Sequence, residues 1–214
     1  MPLLKKVLFS LPRESLATRW ASSFIKRNVV WKHLLIDRQY LSGILSRRSL
    51  FKFRVPYSDV IIATGHGSPD EVYGHGDIVL KEGEYSEEEV KGKKIYLLSC
   101  LTMLSLGPDL VEHGAKVLFG YDADFVALIS LQNFFMPFKD RIAALFFMPP
   151  CSGMEMLIKG EEDYEKILKR QHDEFIKAAD KIAGEDPEAS LLLKHNADSF
   201  VYLEAAKLNK KRRF

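Results

Sequence analysis

Val60-Ile61-Ile62-Ala63-Thr64-Gly65-His66-Gly67 and, 34 positions after its histidine, Lys94-Ile95-Tyr96-Leu97-Leu98-Ser99-Cys100 are two apolar runs that each end in a reactive side chain. Continuous apolar runs of roughly four to eight residues, rich in β-branched or aromatic types, suit strands buried on both faces, as in the parallel sheet of an α/β protein. The functional crevice of such a sheet lies outside the carboxyl ends of its strands, and paired strands run about 4.8 Å apart. Parallel pairing of these two strands therefore brings an imidazole and a thiol to one crevice. That pair of groups suits a cysteine nucleophile with a histidine acid/base partner.

The flanking sequence extends the α/β alternation. Upstream, Arg13 to Arg27 has helical spacing, with Leu16, Trp20, Phe24 and Ile25 recurring and Pro12 at a helix start. Val29 to Ile36 reads as a strand, and Gln39 to Leu50 as a short helix leading through Pro56 into the His66 strand. Gly65 to Gly76 holds four glycines, Pro69, His66, His75, Asp70 and Glu71, the composition of a loop and an active-site rim. Asp77 to Leu80 suggests a short strand and Glu82 to Lys94 a solvated connection. Beyond Cys100, Gly107-Pro108 opens a helix through Glu112 that Gly114 closes, and Ala115 to Tyr121 is a further buried strand. Strand, helix, strand is a βαβ unit, which favours a parallel sheet. The remainder reads as helices over Leu128 to Met148 and Met154 to Ala183, a turn or two at Glu188 to Lys194, and a last strand at Phe200-Val201-Tyr202-Leu203.

Length and composition bound the rest. At 214 residues and 47% hydrophobic content, the chain is read as a single domain over residues 1–206, with 207–214 a basic, mobile tail. The amino-terminal Met1 to Phe9 lacks the long apolar core of a secretory signal and is read as part of the fold. From Phe125 to Met154 the apolar stretch is broken by Lys139-Asp140-Arg141 into uncharged runs of 14 and 13 residues. Both fall short of the ~18–20 needed to span a bilayer, so buried helix is expected and no membrane partner. Lys and Arg (31) nearly balance Asp and Glu (29), so nucleic acid is not an expected partner. With only Cys100 and Cys151, no disulfide framework is indicated, and a reducing, cytoplasmic setting fits.

A hydrophobic block ending in His-Gly, followed by a hydrophobic block ending in Cys, resembles the caspase-like cysteine peptidases of clan CD. The wording is most similar to the gingipain and CHAT-domain branch. The residues that carry it are Thr64-Gly65-His66-Gly67, Leu97-Leu98-Ser99-Cys100, the stretch Leu110 to Gly120, and His195 to Leu203, so that it covers roughly residues 55 to 203. The resemblance implies a three-layer α/β/α fold whose mostly parallel sheet is flanked by helices. It also implies a Cys-His dyad that hydrolyses peptide bonds without a cofactor, His66 and Cys100 taking the catalytic positions and the backbone N–H groups of Gly67 and Cys100 an oxyanion hole. Leu101-Thr102-Met103 departs from the pattern, in which a small residue or glycine commonly follows the cysteine.

Other residues remain candidates. Asp122 and Asp124, after the Ala115 to Tyr121 strand, are placed to bind a basic substrate side chain, with Asp70 and Glu71 as rivals on the histidine loop. His75 and Asp77 line the same rim. Cys151, after Pro149-Pro150, reads as a structural residue in a turn, and His113 as a helix-end cap. Three functions are weighed: an endopeptidase acting on a peptide or protein substrate through Cys100 and His66; an inactive module of the same fold that binds a peptide or protein partner; and a metal-dependent hydrolase built on His66, His75 and Asp77.

Overall fold

The computed structural model describes residues 5–32 and 37–206. Along the chain the elements are β1 (Lys6–Leu11), α1 (Leu16–Ile25), β2 (Asp37–Ser42), α2 (Arg48–Arg54), β3 (Val60–Thr64), β4 (Glu71–Tyr73), β5 (Ile78–Lys81) and α3 (Glu87–Val90). They continue as β6 (Lys94–Leu98), α4 (Leu106–Glu112), β7 (Val117–Tyr121), α5 (Arg141–Lys159), α6 (Tyr164–Ile182), α7 (Pro187–Ser199) and β8 (Phe200–Glu204).

Six strands form one sheet in the order β2-β1-β3-β6-β7-β8, parallel throughout except for the antiparallel edge strand β8. The central strands β3, β6 and β7 are buried along their whole length, which is why they read as unbroken apolar runs. Alternate residues feed opposite layers. Val60 and Ile62 join Trp20, Phe24, Phe147 and Met154 beneath α1 and α5, whereas Ile61 and Ala63 join Phe51, Val79, Leu106 and Leu110 beneath α2, α4 and the β4–β5 hairpin. A third apolar cluster, with Phe146, Phe175 and Leu193, holds α5, α6 and α7 together. The result is the α/β/α sandwich that the sequence implies. The chain runs from β1 outward to β2 and then back across to β3, so the sheet has its topological switch point between β1 and β3.

Several expectations are corrected. Residues 26–30, including the buried Val29 and Val30, continue α1 as a π-helical turn rather than beginning a strand, and residues 33–36 lie outside the described residues. Gln39 to Ser42 belong to β2, and the helix expected over Gln39 to Leu50 starts only at Arg48, because β1 offers the segment a ladder of six register pairs. The Gly65 to Gly76 loop contains β4, which pairs with β5 in a separate two-stranded sheet. Glu82 to Lys94 is not wholly solvated: Glu89, Val90, Lys93 and Lys94 are buried, Glu89 through its ion pair with Arg48. Residues 123–130 belong to no helix or strand, and α5 begins only at Arg141, where Asp140 caps it by accepting from the N–H groups of Ile142 and Ala143. Cys151 lies inside α5 rather than in a turn, and Gly160, at φ +96°, ends that helix and separates it from α6. Helix α7 is also longer than expected. Among the described residues α5 alone is long and apolar enough to cross a membrane on length and composition, yet its buried face packs beneath the sheet and against α6. The expectation for the basic tail 207–214 concerns residues outside those described, as does that for Met1 to Leu4; Lys6 to Phe9 form part of β1.

Candidate active site

Parallel strands β3 and β6 pair Thr64 with Leu98 at their carboxyl ends. Thr64 Oγ1 and the Gly65 N–H both donate to the Leu98 carbonyl, at 3.2 and 3.4 Å, and carry the pairing one step past the strand ends. Two residues beyond that last pair stand His66 and Cys100. They share the lining of one cavity of about 260 Å³ with Ala17, Thr18, Ala21, Phe125, Ile129 and Phe147. The cavity lies beside the switch point, where a doubly wound sheet opens a crevice.

Close approach of the two loops requires glycine at 67. A Cβ there would lie 2.3 Å from the Cys100 carbonyl oxygen and 2.9 Å from the Cys100 nitrogen, closer than any side-chain carbon can come. The backbone of Gly67 is thereby packed against that of Cys100. Neither amide donates to a backbone or side-chain oxygen among the described residues, since the bridge from Gly67 to Val72 is made by the Ser68 and Tyr73 N–H groups. Backbone N–H groups that donate to no oxygen beside a thiol can receive a developing oxyanion.

The imidazole is held from the other side. His66 Nε2 lies 2.8 Å from Ser15 Oγ, and Ser15 is the N-cap of α1, its hydroxyl accepting from the Thr18 N–H in a capping box. Among the described residues no hydrogen bond joins the ring to the thiol. The Cys100 sulfur faces the Phe125 carbonyl at 3.9 Å. Burial pushes its pKa up, the Asp124 carboxylate beside it adds to the rise, and the backbone of Phe125 and its own amide act in the opposite direction. Burial and Asp124 thus both favour the protonated form of the thiol. Cys151, fully buried, is pushed up further, chiefly by burial, and is inert by the same reasoning.

Leu101, directly after the cysteine, has φ +60° and is the one non-glycine residue with positive φ among those described. This left-handed conformation costs any residue with a Cβ roughly 1–2 kcal/mol, a cost that glycine alone would avoid. Its N–H donates to the Ala123 carbonyl at 3.1 Å and its carbonyl accepts from Leu104 at 3.0 Å, which fixes the turn.

The remaining candidates disperse. Asp70 accepts from Ser68 Oγ at 2.8 Å, while Glu71 accepts from the Tyr73 hydroxyl at 2.6 Å and pairs with Lys81 at 3.2 Å. Asp122 is exposed, and Asp124 sits beside the thiol without lining the cavity. Asp77 Oδ2 accepts from the Arg48 N–H at 3.0 Å, whereas His75 Nδ1 and Asp77 Oδ1 are buried without a hydrogen-bond partner among the described residues. Because His66 is turned to Ser15 and Asp77 to Arg48, they do not converge with His75: among the described residues no three His, Cys, Asp or Glu side chains are placed to hold a metal ion, which corrects the metal-hydrolase alternative. His113 caps α4 as expected, its Nδ1 2.9 Å from the Asp109 carbonyl oxygen. A separate recess of about 270 Å³ beyond α1, lined by Arg13, Lys26, Arg27, Trp31 and Phe138, contributes no thiol or acid.

Sequence reasoning missed the residues that shape the cavity. Ala17, Thr18 and Ala21 of α1 line it, Ser15 reaches His66 across 51 positions, and the segment 123–130 is fastened over it by Asn196, whose side chain exchanges hydrogen bonds with the Val126 N–H and carbonyl at 3.0 and 2.6 Å. His195 Nε2 adds a contact of 2.8 Å to the Asp124 carbonyl oxygen.

No family model matches the chain, and no curated protein matches it. Nine solved chains do. One is the X-ray structure of a secreted C11 cysteine protease from Bacteroides thetaiotaomicron, iotapain, with a TM-score of 0.47 and 12% identity, covering 98% of this chain and 68% of that one. Its description names neither gingipains nor CHAT domains, and at this level of likeness no residue of its site transfers to this chain.

Proposed function

We propose that this chain is a cysteine endopeptidase of caspase-like type. Cys100 attacks the scissile carbonyl, His66 takes the thiol proton and delivers it to the leaving amine, and the Gly67 and Cys100 amides receive the oxyanion. The observation that carries this reading is the joint placement, just past paired strand ends, of an imidazole and a thiol on one cavity, with the Gly67 backbone packed against that of Cys100. A thiol pushed up by burial and by Asp124 needs its base at the moment of attack, so His66 is indispensable. Two free cysteines also suit a reducing compartment.

A second reading, a non-enzymatic module that binds a peptide in the same cavity, is favoured by the His66 ring being engaged with Ser15 rather than with the thiol among the described residues. The two are separated by incubating the full chain with a mixed peptide library and following cleavage by mass spectrometry, alongside His66→Ala. Peptidase action predicts new termini from the wild type and a loss of about 10²–10⁴-fold in the variant. Saturable peptide binding with no cleavage by a folded chain would replace the first reading with the second.

A further inference from the structure

Resting on the peptidase reading, we infer that the cavity beside Cys100 seats an apolar substrate side chain, so that cleavage follows a Leu, Met or Phe rather than a charged residue. The cavity's apolar lining includes Phe125, Ile129 and Phe147, beside the small Ala17 and Ala21. At about 260 Å³ the space is below the ~300–1,000 Å³ of sites for whole drug-sized ligands and suits one side chain.

Among the described residues, His66 and the Cys100 thiol are the only ionisable side chains that line it. Its remaining polar groups are hydroxyls, of which Thr64 Oγ1 is spent on the Leu98 carbonyl and Ser99 Oγ is buried without a partner. A lysine, arginine or aspartate side chain entering here would lose its hydration and meet no counter-charge, a heavy cost. Asp70 and Glu71 are engaged with Ser68, Tyr73 and Lys81, and Asp122 is exposed to solvent. Asp124 alone stands near, at the thiol and outside the cavity. An apolar side chain gains from burial instead, each methylene contributing roughly 10-fold or more to discrimination.

The test uses the full chain and reporter peptides identical except for the residue before the scissile bond: Ala, Leu, Phe, Lys, Arg or Asp. Leu and Phe reporters are expected to exceed the Lys, Arg and Asp reporters by at least about 10-fold in kcat/KM. Ala17 is exposed on α1, so Ala17→Phe can fill the cavity mouth without disturbing the core. With folding verified by circular dichroism, that variant should lower the Leu-to-Ala preference ratio by about 10-fold. Preference for Arg or Lys, abolished by Asp124→Asn, would overturn the inference and leave the peptidase reading intact. Failure of the folded chain to cleave any reporter would overturn both.

Discussion

Replacing Gly67 with alanine puts the close approach of the histidine and cysteine loops under direct strain. The added Cβ would stand 2.3 Å from the Cys100 carbonyl oxygen, 2.9 Å from the Cys100 nitrogen and 3.0 Å from Ser99 Cβ, whereas ordinary contact begins near 3.4 Å. Two of these three atoms belong to the backbone and cannot rotate away. The loops must therefore part by about 1 Å, a displacement large enough to cost an active site roughly 10²-fold in rate. If the Gly67 amide also leaves the oxyanion position, the loss reaches about 10²–10³-fold in kcat/KM. Overpacking of this kind costs about 1–3 kcal/mol in stability. Urea unfolding followed by tryptophan fluorescence and initial rates on a Leu reporter measure the two effects in one preparation. An unfolding midpoint and a rate both equal to those of the wild type would show that the loops do not touch, and the shared oxyanion site would be refuted.

Asp124→Asn removes a negative charge that, after burial, holds the Cys100 thiol up, so the pH of half-maximal alkylation by iodoacetamide should move down; an unchanged or higher value would contradict this. Asp140 is buried and accepts from Trp20 Nε1 at 2.9 Å, the Ser130 N–H at 2.6 Å and the Ile142 and Ala143 N–H groups at 3.1 Å. Its replacement by Ala strands all four donors and should cost about 3 kcal/mol or more, read as a lowered denaturant midpoint. Hydrogen bonds from Lys116 and Lys94 lower the Glu162 carboxyl from 4.5 to about 2. A carboxylate depressed in the folded state stabilises it above the unfolded pKa, and that contribution fades as pH falls from 4.5 toward 2. The stability gap between wild type and Glu162→Gln should thus close over that acid range; a gap that stays constant would remove the linkage.

What the sequence made legible follows from where its information is local. Strands β3, β6 and β7 are enclosed on both faces and so are apolar at every position, and β8 keeps enough aromatic and β-branched residues to be seen. Strand β2 buries only Leu41, and its Asp-Arg-Gln-Tyr start has no strand signature; it is a strand because β1 pairs with it. Pro149 and Pro150 look like breakers, yet both are buried inside α5, where packing under the sheet outweighs the lost backbone hydrogen bonds. The apolar segment 123–130 invites a helix until Asn196 takes the Val126 backbone groups from 70 positions away. The same limit applies at the site. His66, Gly67 and Cys100 announce themselves because each ends or follows a buried run, whereas Ser15 touches His66 across 51 positions and has no local mark beyond its capping role. Leu101 was visible as an unusual successor to the cysteine; its left-handed backbone supplies the reason.

The most direct measurement is cleavage of a Leu-containing reporter by the full chain and by Cys100→Ala, a substitution that removes only the sulfur. The wild type should turn over and be silenced by iodoacetamide at Cys100 while the buried Cys151 stays unmodified, and Cys100→Ala should lose at least about 10³-fold. Equal turnover by wild type and Cys100→Ala would contradict a thiol nucleophile at this sheet edge.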